Sequence, residues 1–180
     1  MSERNVMAGI AGIRSGLGAP RDAVGRVARV NVSGGGVPKL PVASARVGFL
    51  GLEGDDHDDR AGHGGPLRAV SLLALEAIRR VAADGHPIGP GTTGENVTTE
   101  GIELGELPAG GRLAIGPEVV IEVTGPVSPC KTIAHSFLDG RFARLSARVH
   151  PLDTRVYAQV IREGTVRPGD PIVVLGQPPG

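Results

Sequence analysis

Four short loops hold most of the residues in this chain that could do chemistry. The densest reads GDDHDDRAGHGGPLRAV, residues 54–70, and packs four aspartates, two histidines and two arginines into one glycine-broken run. One chemistry for it is metal ligation by His57, Asp59 and His63, because imidazole and carboxylate suit zinc, manganese or iron. The H-x-D-x3-H spacing is not a zinc-finger pattern, however. The other is anion capture by Arg60, His63 and the Gly64–Gly65 backbone. The acidic residues would then orient those donors or build the loop through Asx-turns. A solvated acidic loop is the third reading, and the residues alone leave all three open.

The second loop, SGGGVPK (33–39), has glycines that let backbone N–H groups approach an anion, with Lys39 adding charge. A bulged hairpin reads equally well. TGENVT (93–98) offers Glu95 and Asn96, and an asparagine can both donate to and accept from a heterocycle edge. The fourth, SPCKT (128–132), carries Cys130, the one cysteine of the chain, so no internal disulfide forms. Pro129 fixes the backbone ahead of it. Lys131 and a helix beginning near Thr132 would favour the thiolate. A thiolate is a soft metal ligand, and also a nucleophile able to carry a persulfide sulfur. A buried cysteine acting as a small hydrophobe is the plain alternative.

The elements that must hold these loops are mostly strands. GRVARVNV (25–32) alternates, with Ala28, Val30 and Val32 on one face. SARVGFLGL (44–52) reads as a second strand, and AVSLL (69–73) as a short strand or helix lead-in. GRLAIG, EVVIEVT, RVYAQVI and PIVVL are further strands, with turn signals in REGTVRPGD. ALEAIRRVAADG (74–85) predicts a helix burying Leu75, Ile78, Val81 and Ala82, with Gly85 at its C-terminal cap. A second helix is expected where Phe142, Leu145 and Val149 are spaced three and four apart. PIGPGTTGENVTTEG reads as loop. The 29 glycines and 15 prolines are about twice the usual share, so turns are many. The expected fold is mainly β (α+β): a barrel-like core of mostly antiparallel strands with a few peripheral helices. Residues 1–24 are expected to be a tail or edge segment and 25–176 the domain.

Composition narrows the partners. With 19 basic and 19 acidic residues the formal charge is zero, which argues against a basic nucleic-acid binder. No apolar run approaches the ~18 residues of a membrane span, and no secretory signal pattern opens the chain. A cytoplasmic protein is expected, and the sequons at Asn31 and Asn96 are read as chance.

The loops, in this order, resemble the MOSC domain found at the C-terminus of molybdenum-cofactor sulfurases and in standalone bacterial proteins. The matching pieces are VSGGGVPKLPV, GLEGDDHDDRAGHGGPLRAV, TGENVTTEGIELGELPAGGRLAIG, SPCKTI and VYAQVIREGTVRPGDPIVVL. The resemblance implies a molybdopterin-type molybdenum cofactor, with Cys130 as the molybdenum ligand. It implies phosphate contacts from Lys39, Arg60 and the glycine turns at Gly64 and Gly65, and pterin-edge contacts from Asn96 and His63. Arg68, Glu95 and Lys131 complete the candidate cofactor-binding set. Where the family pattern reads HGGPDRAV, this chain has Leu67 in place of the acidic residue.

The activity so implied is reduction of N-hydroxylated or N-oxide-type small molecules, with Cys130, His63 and Asp59 as catalytic candidates. His63 or Asp59 would relay protons. Electrons would come from a separate donor protein. The rival is sulfur chemistry: Cys130 as sulfur carrier in sulfurtransfer or in forming or cleaving carbon–sulfur bonds, fed by a donor such as a cysteine desulfurase. A non-catalytic cofactor-binding module is a third class. Hydrolysis at a zinc or manganese ion on His57, Asp59 and His63 is a fourth.

Overall fold

A computed structural model describes residues 24–56 and 64–176. Eleven strands account for most of its regular structure: β1 (Gly25–Val32), β2 (Leu40–Val42), β3 (Ala45–Gly48), β4 (Gly51–Leu52), β5 (Val70–Ala74), β6 (Val97–Glu100), β7 (Arg112–Ile115), β8 (Val119–Pro126), β9 (Val156–Arg162), β10 (Gly164–Val166) and β11 (Pro171–Gly176). Seven of them pair in the order β11-β7-β8-β9-β5-β6-β1, and β1 pairs back onto β11 through Gly25↔Ile172. The sheet is therefore a closed barrel. β2 extends it from the far end of β1, and β10, β3 and β4 form a small second sheet.

The valine-rich strands fill the interior. Val27, Val30, Leu72, Val97, Leu113, Ile115, Ile121, Val123, Ala158, Val160 and Ile172 are all buried in one core. With so few aromatics, branched aliphatic side chains do this packing. On β9 the alternation is clean, with Val156, Ala158 and Val160 inward. On β1 it is not. A register shift between Val27 and Arg29 puts Val27, Val30 and Asn31 inside, in place of the expected Ala28/Val30/Val32 face.

The pairings are antiparallel except β5–β6. That parallel pair needs a crossover, and the chain between supplies α1 (Leu75–Ala83) and a long loop. α1 buries Ala77, Ile78 and Val81 against the barrel. Leu75 is partly buried and Ala82 is exposed. Gly85 follows the helix with φ 93° and donates to the Ala82 carbonyl, as its capping position requires.

Several sequence expectations are corrected. SARVGFLGL is a hairpin, β3 and β4 turning at Phe49–Leu50, not one strand. The polar stretch after PIGPG contains β6, a central barrel strand. The second helix does not form. Residues 131–145 instead make three short 3-10 turns, Lys131–Ser136, Leu138–Gly140 and Phe142–Leu145. Asp139 and Gly140 take φ 53° and 66°, which interrupts any continuous helix, and Val149 is exposed. Among the described residues α1 is the one α-helix, and no helix is long and apolar enough to cross a membrane.

An ion-pair clip holds the turns to the barrel. Arg80 of α1 makes two 3.0 Å contacts to Glu103 and one of 2.6 Å to Asp153. Arg144 donates to the other Asp153 oxygen at 2.7 Å and to Asp84 at 2.8 Å. The hydrogen bonds from both arginines hold the Asp84 carboxyl, through Arg144, and the Arg80 guanidinium firmly in their charged forms.

Candidate functional site

One cavity of about 360 Å³ opens where the loop after β1, the loop before β6, the Cys130 turn and the start of β9 converge. Gly36, Val37 and Lys39 come from the first loop, Thr93, Gly94 and Asn96 from the second, Cys130 to Ile133 from the third. Arg155 and Tyr157 enter from β9 and its lead-in, Ser71 from β5, and Asp56 and Arg68 from the two flanks of the Asp/His run.

The wall is built from a buried polar network. Asp55 is its hub. It accepts from the Ser33 N–H at 2.9 Å and from Asn96 Nδ2 at 2.8 Å, and it is ion-paired with Lys39 Nζ. Both members of the pair are nearly sealed from water, with side chains 5% and 3% exposed. Burial pushes the Lys39 ammonium below its ordinary value, and the Asp55 carboxylate opposes that shift. Asn96 turns its Oδ1 to the Ser71 N–H at 3.1 Å and hydroxyl at 3.2 Å. Its amide thus locks β5 to β6 while the residue faces the cavity. Asn31 donates to the Glu95 carbonyl and to Thr98 Oγ1, both at 3.2 Å. The two sequon asparagines are thus interior structural groups, 0% and 2% exposed.

Glu95 lies behind the wall, wholly buried, and is not among the lining residues. Its carboxylate accepts from the Gly91 N–H at 2.6 Å, Thr93 Oγ1 at 2.9 Å and Thr98 Oγ1 at 3.0 Å. Three donors satisfy it, so it shapes the loop. Gly91 is needed there: at φ 82°, an added Cβ would stand 2.3 Å from the Lys39 carbonyl.

Cys130 is partly exposed and sits just before the 3-10 turn Lys131–Ser136, in place of the expected helix start. Its thiol donates to Thr132 Oγ1 at 3.3 Å. Lys131 beside it is exposed. Arg68 stacks over the Tyr157 ring, 5.6 Å from its centroid. Gly64 and Gly65 are not among the lining residues. They lead instead into the turn Pro66–Arg68, where the Arg68 N–H returns to the Gly65 carbonyl at 3.0 Å, and so deliver Arg68 to the wall.

The structure thus brings Lys39, Arg68, Asn96, Cys130 and Lys131 to one cavity. His57, Asp59, Arg60 and His63 lie outside the described residues. Among the described residues no cluster of three or more His, Cys, Asp or Glu could hold a metal ion by itself. Arg155, Tyr157, Ser71, Thr93 and Asp55 escaped the sequence reading. Period-2 spacing in RVYAQVI was the one available signal, since it puts Arg155 and Tyr157 on the face opposite Val156 and Ala158. Arg155 is 8% exposed, and burial lowers its guanidinium from the usual value without discharging it.

Comparison with known proteins agrees with this architecture. The YuaD protein from Bacillus subtilis superposes with a TM-score of 0.69 at 20% identity, over 82% of this chain and 93% of that one. YiiM from Geobacillus stearothermophilus gives 0.64 at 23%, over 84% and 75%. YiiM from Escherichia coli gives 0.64 at 24%, over 86% and 72%. In sequence, the uncharacterized protein YflK of Bacillus subtilis is 28% identical over 145 residues, 79% of this chain. The chain spans 64% of that relative's length. The MOSC domain profile matches residues 59–173, from the Asp/His run to the last barrel strand, and so this chain belongs to the MOSC domain family.

Proposed function

We propose that the cavity binds a molybdopterin-type molybdenum cofactor, with Cys130 as the protein ligand to the metal, and that the protein reduces N-hydroxylated or N-oxide-type small molecules. The observation that carries this reading is the donor set: one partly exposed thiol facing Lys39, Arg68, Lys131 and the Asn96 amide across a single cavity. The volume, about 360 Å³, lies in the range of cofactor sites, about 300–1,000 Å³. A lone thiolate suits a metal that arrives with other ligands of its own, and the cations suit a phosphate. When bound, the cofactor supplies a two-electron redox couple.

The chain's own residues do the rest. Cys130 anchors the metal and Thr132 orients the sulfur. Lys39, kept in place by Asp55, and Arg68 neutralise anionic groups. The N–O bond of the substrate breaks as two electrons and two protons are added, releasing the amine and water. His63 or Asp59 relays the protons, and a separate donor protein supplies the electrons.

The test is elemental analysis with oxidised-pterin fluorescence on wild-type and Cys130→Ala protein from molybdate-supplied cells, followed by N-hydroxy reduction assays. Molybdenum and pterin are expected in the wild type. The variant should keep pterin, hold less metal and lose reduction. Undiminished reduction by Cys130→Ala would sink the ligand role. Partial exposure of the thiol favours a second reading, with Cys130 as a persulfide carrier in sulfurtransfer or carbon–sulfur chemistry. Added sulfur mass on Cys130 after incubation with a cysteine desulfurase and cysteine would support it; none would remove it.

A further inference from the structure

Arg155 is a buried cation that the reading above does not use. It lines the cavity while only 8% exposed. No described group accepts a hydrogen bond from its guanidinium, whose described electrostatic neighbours are Tyr157, Glu95, Cys130 and the like-charged Lys39. Among the described residues, the buried carboxylates at the cavity wall, Glu95 and Asp55, are occupied. Glu95 is held by Gly91, Thr93 and Thr98, and Asp55 by Lys39, Asn96 and Ser33. Burying a charge without a hydrogen-bonded partner costs stability, so a fold gains nothing from such a group by itself.

The space in front of it is also kept open. Gly94 takes φ 85°, and a Cβ there would stand 2.8 Å from Val37 Cγ1 and 3.3 Å from Arg155 Nη1. Any other residue would narrow the approach to the guanidinium. The planar fork of an arginine matches an oxyanion bidentately, which the ammonium of Lys39, already ion-paired, does not.

We infer that Arg155 is the anchor of an oxyanion subsite beside Cys130, and that it selects small substrates carrying a carboxylate. The inference deepens the proposed reduction and rests on it for the reaction, but not for the binding. Its place near the thiol puts the anchored group next to the reacting end of the cavity. A carboxylate held there by two N–H donors leaves the rest of the substrate to extend toward the metal that Cys130 would hold.

The binding is tested on cofactor-free protein. The Arg155 Nε–H resonance, assigned by its absence from Arg155→Lys, is followed during titration with acetate at constant ionic strength. A saturable shift is expected, and the affinity, read in both proteins from the backbone amide of Gly94, should be weakened about tenfold or more in Arg155→Gln. No saturable shift, or equal affinity in the glutamine variant, overturns the subsite. Thermal unfolding gives a second readout. Arg155→Met should melt at or above the wild-type temperature, because it removes a buried charge that has no hydrogen-bonded partner among the described residues. A melting temperature several degrees lower overturns the proposal in favour of a structural arginine.

Loaded protein identifies the source of the oxyanion. If Arg155→Gln retains its molybdenum and pterin, and KM rises for a carboxylate-bearing N-hydroxy substrate but not for a neutral one, the substrate assignment stands. Loss of pterin in that variant overturns it and gives Arg155 to the cofactor phosphate. Absence of molybdenum and pterin from the wild type would fail the reductase reading alone, since the acetate titration does not depend on it.

Discussion

At the scale of single residues, the cavity depends on Asp55 more than on any group that sequence patterning would single out. It is the shared acceptor for Lys39, Asn96 and the Ser33 backbone. Asp55→Ala would leave the Lys39 ammonium buried without its partner, at a cost of about 3 kcal/mol in urea unfolding. The pH dependence follows from the lowered Lys39 pKa. Between that value and the ordinary 10.5, the unfolded chain binds a proton that the native state does not, so stability rises with pH there. Without Asp55 to oppose the shift, the rising window should extend to lower pH, which unfolding midpoints measured across the alkaline range would show. Cys130, Lys39 and Asn96 were legible because each sits in a short polar motif. Arg155 was not. Its neighbours Gly94 and Cys130 lie far away in sequence, and inside a valine-rich strand it reads as an outward-facing charge.

At the scale of elements, the Cys130 loop is held by ions more than by helix propensity. Asp153 takes one arginine on each oxygen, Arg80 from α1 and Arg144 from the turn that ends at Leu145. Asp153→Ala should cost about 2 kcal/mol, because it leaves charged donors unpaired. It should also raise backbone hydrogen exchange across 131–145 before any loss in the barrel strands. Unchanged exchange in that segment would show that packing of Ile133, Phe137 and Leu145 holds it unaided. The sequence located this segment but mistook its form. Spacing of Phe142, Leu145 and Val149 satisfied a helical period, yet Asp139–Gly140 turns the backbone left-handed just before it. The strands β7, β8, β9 and β11 were readable as short runs rich in valine, isoleucine and leucine between turn signals, with alternation clear in EVVIEVT. β6 was hidden because its VTTE has no apolar alternation, with the buried Thr98 joined to Asn31 and Glu95.

At the scale of the whole molecule, side-chain ties across neighbouring strands reinforce the barrel. Glu122 on β8 accepts from Arg112 on β7 at 2.7 Å and from Gln159 on β9 at 2.8 Å. Chiefly through the Arg112 contact, its carboxyl sits below the ordinary 4.5. A carboxylate so lowered adds stability above about pH 4.5 and loses it as pH falls through its native value. Glu122→Gln should therefore lower stability at pH 7, change it little near pH 3, and so flatten the acid limb of the stability curve, as unfolding midpoints between pH 3 and 7 would register. An acid limb as steep as that of the wild type would assign the loss to other carboxylates. A mainly β barrel could be expected from the sequence, but its closure could not, because nothing local marks Gly25 as the partner of Ile172.

That closure bears on how the protein is made. Among the described barrel strands, β11, which seals the barrel, is synthesised after all the others, and its partner β1 before them. Until β11 emerges, the edge of β1 and, once it is made, that of β7 wait for a neighbour not yet synthesised, exposed to pairing with other chains. The cavity-lining residues, from Gly36 to Tyr157, all precede β11 in the chain and are made before that seal. The nascent chain can therefore hold a nearly complete site on a barrel still open along one seam.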